Sequence, residues 1–366
     1  MVSTTSTTQR PAAKATTWTP ARKRRLLKAV AMAFMLAYAV ITLFPFYVLF
    51  IRTFVSTKES VNLHLWIPRQ EDVSLDAEVG NLSVQYNLDL RKVKEDLGIK
   101  GYVNPRDSLR KVAEKNNIPS ERMQEYFAGF GTFNGWITLL NNPAFWQSLV
   151  RTVVVTVASI VGLCFLSILT GAGLAGLRRR YQMTIYNIYL LQMVIPTIMI
   201  IIPQFLMVQG LQGLIPGADR PGTARWVVQL TFLILIFIKG GALSTMVFTT
   251  AINQVPPELE ESAYLDGASR WQYIWRILFP LLKVPIATVS VIMLPVFWNA
   301  FLEPFVYLDT ANTTMLPLIA NYSGAYAVNY QIIYTGVFVS VVPLLLVYVL
   351  LRKLFIRSVM AGAIKG

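Results

Sequence analysis

The sequence predicts an all-α membrane protein with six transmembrane helices. Of its 366 residues, 54% are hydrophobic and only 14% are charged, and the mean hydropathy is +0.50. These values lie outside the usage of soluble globular domains. Apolar segments also recur at the length of about 20 residues that a helix needs to cross a hydrocarbon core of roughly 30 Å. Length and composition together therefore indicate a multi-pass protein.

Six apolar segments meet this length, and polar or charged residues bound each of them. In chain order they are Leu27–Ile51, Thr152–Leu177, Ile185–Val208, Val227–Ile252, Val284–Leu302 and Ile332–Leu351. The third segment contains Pro196 and Pro203. Prolines are tolerated in a span because neighbouring helices satisfy the freed backbone carbonyls.

The distribution of charge predicts the orientation of these spans. With both termini in the cytoplasm, the cytoplasmic pieces are residues 1–28, 178–183, 253–283 and 352–366. They hold 17 of the 33 Lys and Arg residues but only four Asp and Glu residues, whereas the external loop 52–147 holds twelve of each sign. Cytoplasmic loops carry the excess of positive charge in membrane proteins. The net charge of +14 therefore reports topology, and no nucleic-acid partner is expected.

The same pass along the chain predicts its organisation. Residues 1–26 are Ser-, Thr- and Ala-rich and are expected to form a disordered cytoplasmic tail. Residues 27–51 form the first transmembrane helix, and residues 52–147 form an external loop with a small inserted helical region. Residues 148–366 form a core with five transmembrane helices, a cytoplasmic loop at 253–282 and a cytoplasmic C-terminal tail. The insertion is either a docking surface for an external partner or a passive spacer.

Several kinds of chemistry are excluded by residue counts. The chain has one cysteine, Cys164, and one histidine, His64, so an internal disulfide and a histidine-based metal cluster cannot form. The phosphate-binding pattern G-x-x-x-x-G-K-[ST] does not occur. We therefore expect no catalytic residues, no metal and no cofactor on this chain.

The cytoplasmic stretch 260–280, EESAYLDGASRWQYIWRILFP, predicts two short helices joined by a turn. Pro257 can occupy the first turn of a helix, where its missing N–H costs nothing, and the acids that follow suit the positive end of the helix dipole. Gly267 can adopt the left-handed conformation that ends a helix, and Ser269 can cap the next one.

The second helix is predicted to carry an apolar face made of Trp271, Ile274, Trp275 and Leu278. On physical grounds this helix pair either packs only against its own bundle and the lipid surface or docks to a partner.

The spacing of this stretch resembles a family signature. ABC importer permeases carry E-A-A, three residues, G, nine residues and I-x-L-P in a cytoplasmic loop. Here Glu261-Ser262-Ala263, Gly267 and Ile277-Leu278-Phe279-Pro280 fit that spacing, with Ser262 and Phe279 as the two departures. The resemblance implies a coupling helix that sits in a cleft of a cytoplasmic ATPase. The coupling residues it implies are Glu260, Glu261, Ser262, Ala263, Asp266, Gly267, Ile277 and Pro280.

The resemblance extends over most of the chain outside the insertion and is closest to permeases of the maltose type. It is carried by Leu169–Arg178, by Ile195-Pro196 and Ile202-Pro203, by Trp298-Asn299-Ala300-Phe301 with Pro304, and by the ending Ala361-Gly362-Ala363-Ile364-Lys365-Gly366. It implies the type I ABC importer permease fold in a bacterial inner membrane. The implied partners are two ATPase subunits that bind ATP and Mg, a homologous second permease, and an extracellular or periplasmic solute-binding protein. Gly362, Lys365 and Gly366 would reach the ATPase dimer.

A few polar residues are candidates for the transport path. Lys239 lies within a predicted span, where a charge is costly unless it faces a cavity; the alternative is that it reaches the interface. Asn299 and Glu303 could hydrogen-bond a sugar; the alternative is that Asn299 serves helix packing and Glu303 is an acid at the membrane interface. The resemblance implies that Tyr322, Gly324 and Tyr326 contact the binding protein, although tyrosine is common at any membrane interface.

The function predicted from these observations is a permease subunit that forms half of the path for a sugar or oligosaccharide in an ATP-driven importer. The alternatives are a permease for another solute, a secondary transporter and a membrane-embedded enzyme. A secondary transporter needs intramembrane ionisable groups, and Lys239 is nearly the only candidate. The sequence leaves the particular sugar open.

Overall fold

The computed structural model describes residues 20–55, 63, 65–67, 73–85, 88–239, 241–323 and 329–363. Most of the predicted tail, residues 1–26, therefore lies outside the described residues. The chain divides into two compact units, residues 1–49 and 50–366. The first unit consists, in its described part, of the helix α1 (Pro20–Arg52), which ends just inside the second unit.

The second unit is helical throughout its described part apart from loops and one isolated bridge between Glu78 and Ser108. In the external region the helices are α2 (Val79–Gln85), α3 (Leu90–Asp96), α4 (Leu109–Lys115) and α5 (Ser120–Leu140). The remaining helices are α6 (Pro143–Ala175), α7 (Arg179–Leu191), α8 (Thr197–Leu214), α9 (Thr223–Lys239), α10 (Ala242–Ile252), α11 (Pro257–Leu265), α12 (Arg270–Tyr273), α13 (Phe279–Leu281), α14 (Lys283–Trp298), α15 (Leu302–Tyr307), α16 (Met315–Ala320) and α17 (Tyr330–Ala363). The prediction of an all-α fold is confirmed.

Within the described residues, four helices are long and apolar enough to cross a membrane: α1, α6, α8 and α17. Two bent pairs of helices raise this number to six if each pair is one span. They are α9 with α10, bent by 52°, and the segment Arg270–Leu281 with α14, bent by 72°. The predicted third span, Ile185–Val208, is not one continuous helix, because the chain leaves helical geometry between Leu191 and Thr197. Pro196 lies at this break and serves as the N-terminal cap of α8.

The centre of the second unit is α6, which packs against α9, α10 and α14. Its contact with α10 is close because the residues between the two helices are small. Ser167 and Ser244 hydroxyls lie 2.6 Å apart, and a Cβ on Gly171 would lie 3.1 Å from the backbone nitrogen of Thr249. Small residues at helix contacts allow backbones to approach in this way.

The insertion, predicted to be external, is built from two helix pairs with the same local hydrogen bonds. Val79 begins α2 and Leu109 begins α4, 30 positions later. The Val79 N–H donates to the carbonyl of Asp107 at 3.0 Å, and the Leu109 N–H donates to the carbonyl of Ala77, also at 3.0 Å. A second reciprocal pair runs from Gly80 to Pro105 (2.7 Å) and from Arg110 to Leu75 (2.9 Å). The two halves of the insertion are thus related by an internal two-fold pattern.

The core of the insertion repeats at the same interval. Buried side chains that correspond across the two halves are Val73 and Val103, Val79 and Leu109, Leu82 and Val112, Val93 and Met123, and Leu97 and Phe127. These residues form a hydrophobic cluster separate from that of the transmembrane helices. The segment from Val73 to Ala128 therefore has a hydrophobic core of its own.

The helix α5 joins this insertion to the rest of the unit. Its first half supplies Met123 and Phe127 to the core of the insertion. Its second half places Leu139 in a cluster with Phe145 of α6 and Ile332 of α17. Trp136 of the same half donates from Nε1 to the Thr53 hydroxyl at 3.1 Å.

Candidate functional site

The loop between α10 and α14 begins with the helix α11, whose C-terminal end is closed by local backbone hydrogen bonds. Pro256 caps α11 and Pro257 occupies its first turn, with Glu258 and Glu260 nearby. Gly267 has φ of +79°. Its N–H donates to the carbonyl of Tyr264 at 3.0 Å, while the Ala268 N–H donates to the carbonyl of Ala263 at 2.9 Å. This pair of bonds is a Schellman motif, which needs a left-handed residue where Gly267 stands.

The second helix begins at a capping box. The Gln272 N–H donates to Ser269 Oγ at 3.3 Å, and the Ser269 N–H donates to Gln272 Oε1 at 2.7 Å. The helix then widens into a π-helical turn at Ile274–Leu278 before α13. The predicted helix Arg270–Leu278 is therefore α-helical only over its first four residues. π-Helical turns inside helices often mark functional sites.

This second helix is anchored in the core of the unit. Tyr273, Ile274 and Leu278 are buried in the main hydrophobic cluster. Trp275 stacks on Phe165 of α6 with ring centroids 5.5 Å apart. Trp271 lies on the same face, because its ring contacts that of Trp275 edge-on with centroids 5.4 Å apart. Its side chain is nevertheless 56% exposed, so the predicted apolar face is only partly covered.

The first helix, by contrast, presents most of its side chains to solvent. Ala263 is buried, and Glu260 is half-buried because its Oε1 accepts a hydrogen bond from the Tyr264 hydroxyl at 2.8 Å. That hydrogen bond to a carboxylate raises the pKa of Tyr264. We define the exposed coupling surface as Glu261, Ser262, Leu265, Asp266 and Gly267, all of them exposed. Leu265 is 88% exposed.

A cavity of about 290 Å³ lies beside this surface, between the end of α6, the end of α10 and the loop. Glu260, Arg270 and Tyr273 line it together with backbone from the Pro256-Pro257 turn. Of the remaining predicted coupling residues, Ile277 is half-buried and Pro280 is exposed. The structure therefore brings all eight predicted coupling residues into one loop, with five of them, Glu261, Ser262, Asp266, Gly267 and Pro280, open to solvent.

A second cavity, of about 530 Å³, lies among the predicted spans. Lys239, the last residue of α9, lines it, and so do Glu303 and Gln204. The Tyr307 hydroxyl donates to Gln204 Oε1 at 2.8 Å. Asn299 is exposed at the C-terminal cap of α14. Glu303 lines the cavity, whereas Asn299 is not among the described residues that line it.

The part of the chain that supplies most of the lining of both cavities also matches a known protein family. Residues 165–360 match the family described as binding-protein-dependent transport system inner membrane component. This range is more than half of the chain. The chain belongs to this family. The predicted identity of the chain as an ABC importer permease is thereby confirmed, and the permease is a multi-pass inner-membrane protein.

Several relatives of the permease carry transport names. The probable starch degradation products transport system permease protein AmyC of Thermoanaerobacterium thermosulfurigenes is 27% identical over 216 residues, which are 59% of this chain and 74% of the relative. The arabinooligosaccharides transport system permease protein AraQ of Bacillus subtilis is 25% identical over 272 residues, 73% of this chain and 88% of the relative. The lactose transport system permease protein LacG of Rhizobium radiobacter is 26% identical, over 60% of this chain and 74% of the relative.

A solved structure shares the fold of the permease. It is a bacterial ABC transporter involved in the import of the acidic polysaccharide alginate, with a TM-score of 0.58 and 18% sequence identity. The likeness covers 91% of this chain and 97% of the other. At that identity the match shows the fold alone.

The remaining predicted residues lie near the C-terminus and in the segment before α17. Gly362 falls in the last turns of α17, whereas Lys365, Gly366, Gly324 and Tyr326 lie outside the described residues. The Tyr322 hydroxyl accepts a hydrogen bond from Asn142 Nδ2 at 2.7 Å. Because Asn142 is also the N-terminal cap of α6, Tyr322 ties the external segment to the start of that helix.

A polar network between α9 and the segment after α15 was not predicted from the sequence. Arg225 Nη2 donates to Asp309 Oδ1 at 2.9 Å, and Gln229 Nε2 donates to the same oxygen at 3.2 Å. This network fixes the segment after α15 to α9. Arg225 and Asp309 are 84 positions apart, so no local spacing could have indicated the pair.

Proposed function

We propose that this permease is the transmembrane subunit of an ATP-driven ABC importer, that it forms half of the translocation path for a sugar or oligosaccharide, and that its loop 253–282 couples to a separate ATPase. In this proposal two ATPase subunits bind ATP and Mg²⁺. A homologous second permease completes the path, and an external solute-binding protein delivers the sugar. Both termini lie in the cytoplasm.

The observation that carries the proposal is the exposed coupling surface. The C-terminal end of α11 is closed by the Schellman motif at Gly267, so the exposure of this surface is not the result of a frayed helix end. Leu265 is exposed to 88%, whereas Ala263, two positions earlier on the same helix, is buried. Exposed apolar side chains rimmed by acids are typical of a site that a partner covers. The lipid-surface alternative is disfavoured because three carboxylates, Glu258, Glu261 and Asp266, are exposed on this short segment.

The anchoring of the second helix supports a mechanical role. Ile274 and Leu278 are buried in the same cluster as residues of α6 and α14. A displacement of the exposed coupling surface is therefore passed to the transmembrane helices by packed side chains, because packed cores do not deform continuously. Closure of an ATPase dimer would move this loop as one body.

The names of the relatives support the substrate class. Permeases for starch degradation products, lactose and arabinooligosaccharides are among them. The alternative of a non-sugar solute is tested by binding-protein-stimulated ATPase activity of the whole complex, screened across oligosaccharides and unrelated solutes. Stimulation by a non-sugar solute alone would refute the sugar assignment.

The coupling role is tested by two variants in the assembled complex. We expect Glu261→Lys and Gly267→Trp each to abolish pull-down of the ATPase and sugar uptake, while membrane insertion stays intact. Glu261→Lys reverses one exposed charge. Gly267→Trp places a bulky ring on the exposed coupling surface, at a residue whose φ of +79° disfavours any side chain.

The matched control is Glu114→Lys, which reverses an exposed charge on α4 of the external insertion; we expect it to change neither readout. Unchanged ATPase binding with unchanged uptake in both loop variants would refute the coupling role. Uptake by the chain alone in liposomes, without ATP, would instead identify a secondary transporter.

A further inference from the structure

Two broken helices meet at the cavity of about 530 Å³. The chain leaves helical geometry between α7 and α8, and Gln192 and Thr197 from this break line the cavity. It also breaks between α9 and α10, where Lys239 lines the same space. Non-helical backbone within a predicted span is tolerated where it lines a cavity. Transporters place substrate sites at such discontinuous helices.

Opposite charges face this cavity. The side chain of Lys239 is exposed, and that of Glu303, the second residue of α15, is half-buried. A charge within a span is costly and indicates function by default. Because the cavity carries one cation and one anion, its net charge from these two groups is zero. An anionic ligand would meet Glu303, and a cationic ligand would meet Lys239.

The rest of the lining is amphipathic in the way that carbohydrate requires. Phe237 and Phe297 stack with ring centroids 5.0 Å apart and an interplanar angle of 17°, and both line the cavity. Both rings are almost fully buried, at 9% and 7% exposure, so they contribute an apolar part of the cavity wall behind its polar side chains. The amides of Gln192 and Gln204 offer donors and acceptors for hydroxyl groups. In the structure the Nε2 atom of Gln192 is buried without a hydrogen-bond partner.

We propose that this cavity is a substrate half-site contributed by this chain, and that the Lys239–Glu303 pair selects uncharged sugar units over uronic acids. Sugar hydroxyls donate to the carboxylate of Glu303 and accept from the ammonium of Lys239, so a neutral sugar satisfies both groups. A uronate satisfies Lys239 but is repelled by Glu303. The volume falls within the range of about 300–1,000 Å³ that is usual for small-molecule sites. This inference rests on the proposed function, because it assumes that a sugar enters the path.

The test uses a thiol placed in the cavity of the intact complex. Val296 lines the cavity and is 56% exposed, so Val296→Cys in a Cys164→Ser background gives one reactive position. We expect a neutral oligosaccharide to slow its reaction with methanethiosulfonate reagents, and a uronic-acid oligosaccharide of the same length to leave the rate unchanged. Tyr102→Cys, at a residue that is 79% exposed on the external insertion, is the control that neither sugar should protect.

The charge pair is tested in the same background. We expect Glu303→Gln to raise the rate of an anionic reagent relative to a cationic one by on the order of tenfold, and to make the uronic-acid oligosaccharide protective. Lys239→Gln should shift the ratio in the opposite direction. An unchanged ratio in both variants would overturn the inference.

Import assays and thiol protection distinguish the loss of this half-site from the loss of the proposed function. A complex that imports sugar with ATP, yet in which no sugar protects Val296→Cys, retains its function and lacks this half-site. A thiol that reacts with neither reagent also overturns the inference, because the cavity is then closed to solutes. A complex that shows no ATP-dependent import refutes the proposed function itself.

Discussion

The insertion between α1 and α6 and the loop between α10 and α14, for which we propose the coupling role, both contain short helices followed by a left-handed glycine, yet they differ in where their side chains go. In the insertion, Leu109 and Phe127 are fully buried in a core that the two helix pairs form together. In the coupling loop, Leu265 and Trp271 are exposed to 88% and 56%. The first region completes its own core. The second leaves large apolar side chains exposed, at the surface where we propose that an ATPase docks.

This difference separates stability from function in the permease. A self-contained core responds to changes in packing, whereas an exposed surface responds to changes in shape and charge. Substitutions in the two regions should therefore produce different defects even when their local geometry is the same.

The largest effect is expected from emptying the core of the insertion. Phe127→Ala removes a fully buried ring, and such truncations cost about 3–5 kcal/mol. We expect limited proteolysis of the full-length protein in detergent to cut the insertion much faster, while ATPase pull-down is retained. Tyr102→Ala, at a residue 79% exposed, is the matched aromatic control and should change neither. Unchanged protease resistance of Phe127→Ala would contradict an independent core.

A smaller and more discriminating effect is expected at the two turn glycines. Gly98 has φ of +66° and Gly267 has φ of +79°, and a Cβ added to either would meet nothing within 4 Å. Alanine at each position should cost a similar 1–2 kcal/mol or so, because the left-handed conformation disfavours a Cβ. Thermal unfolding of the two alanine variants measures this equality.

The tryptophan variants of the same glycines separate the two regions. We expect Gly98→Trp to leave uptake at the wild-type level and Gly267→Trp to abolish it, because only Gly267 belongs to the exposed coupling surface. Equal loss of uptake in both variants would show that strain alone, and not a partner surface, explains the defect.

The smallest effect is expected from helix caps. Ser269→Ala removes the side-chain half of the capping box in the coupling loop, and Ser108→Ala removes the hydrogen bond that its Oγ accepts from the Lys111 N–H at 3.4 Å. Each should cost about 1 kcal/mol. Hydrogen exchange should accelerate in α12 for the first variant and in α4 for the second. Exchange that is unchanged in both helices would contradict this role of the caps.

The sequence anticipated the coupling loop better than the spans. Pro257, Gly267 and Ser269 act through local backbone rules, so their positions follow from neighbours within a few residues. The break between α7 and α8 could not be derived from hydropathy, because the apolar run continues through Gln192–Pro196 with a single polar residue. Lys239 and Glu303 are 64 positions apart, and only the packing of α9 near α15 brings them to one cavity.

The two-fold pattern of the insertion was also hidden in the sequence. Helices of seven residues, such as α2 and α4, are too short for a clear periodicity. The equivalent residues share burial and hydrogen bonds but seldom identity: Gly80 corresponds to Arg110. Gly80 is required because a Cβ there would lie 2.7 Å from Pro105, whereas the Arg110 side chain is exposed.

The helix α5 connects the core of the insertion rigidly to the transmembrane helices. Its 21 residues span about 30 Å, at about 1.5 Å per residue. Met123 and Phe127 are fixed in the outer core, while a Cβ on Gly135 would lie 2.6 Å from the Thr335 hydroxyl of α17. If the helix moves as a rigid rod, a tilt of about 5° shifts its far end by about 3 Å. A displacement of the insertion is thereby transmitted through α5 to the start of α17.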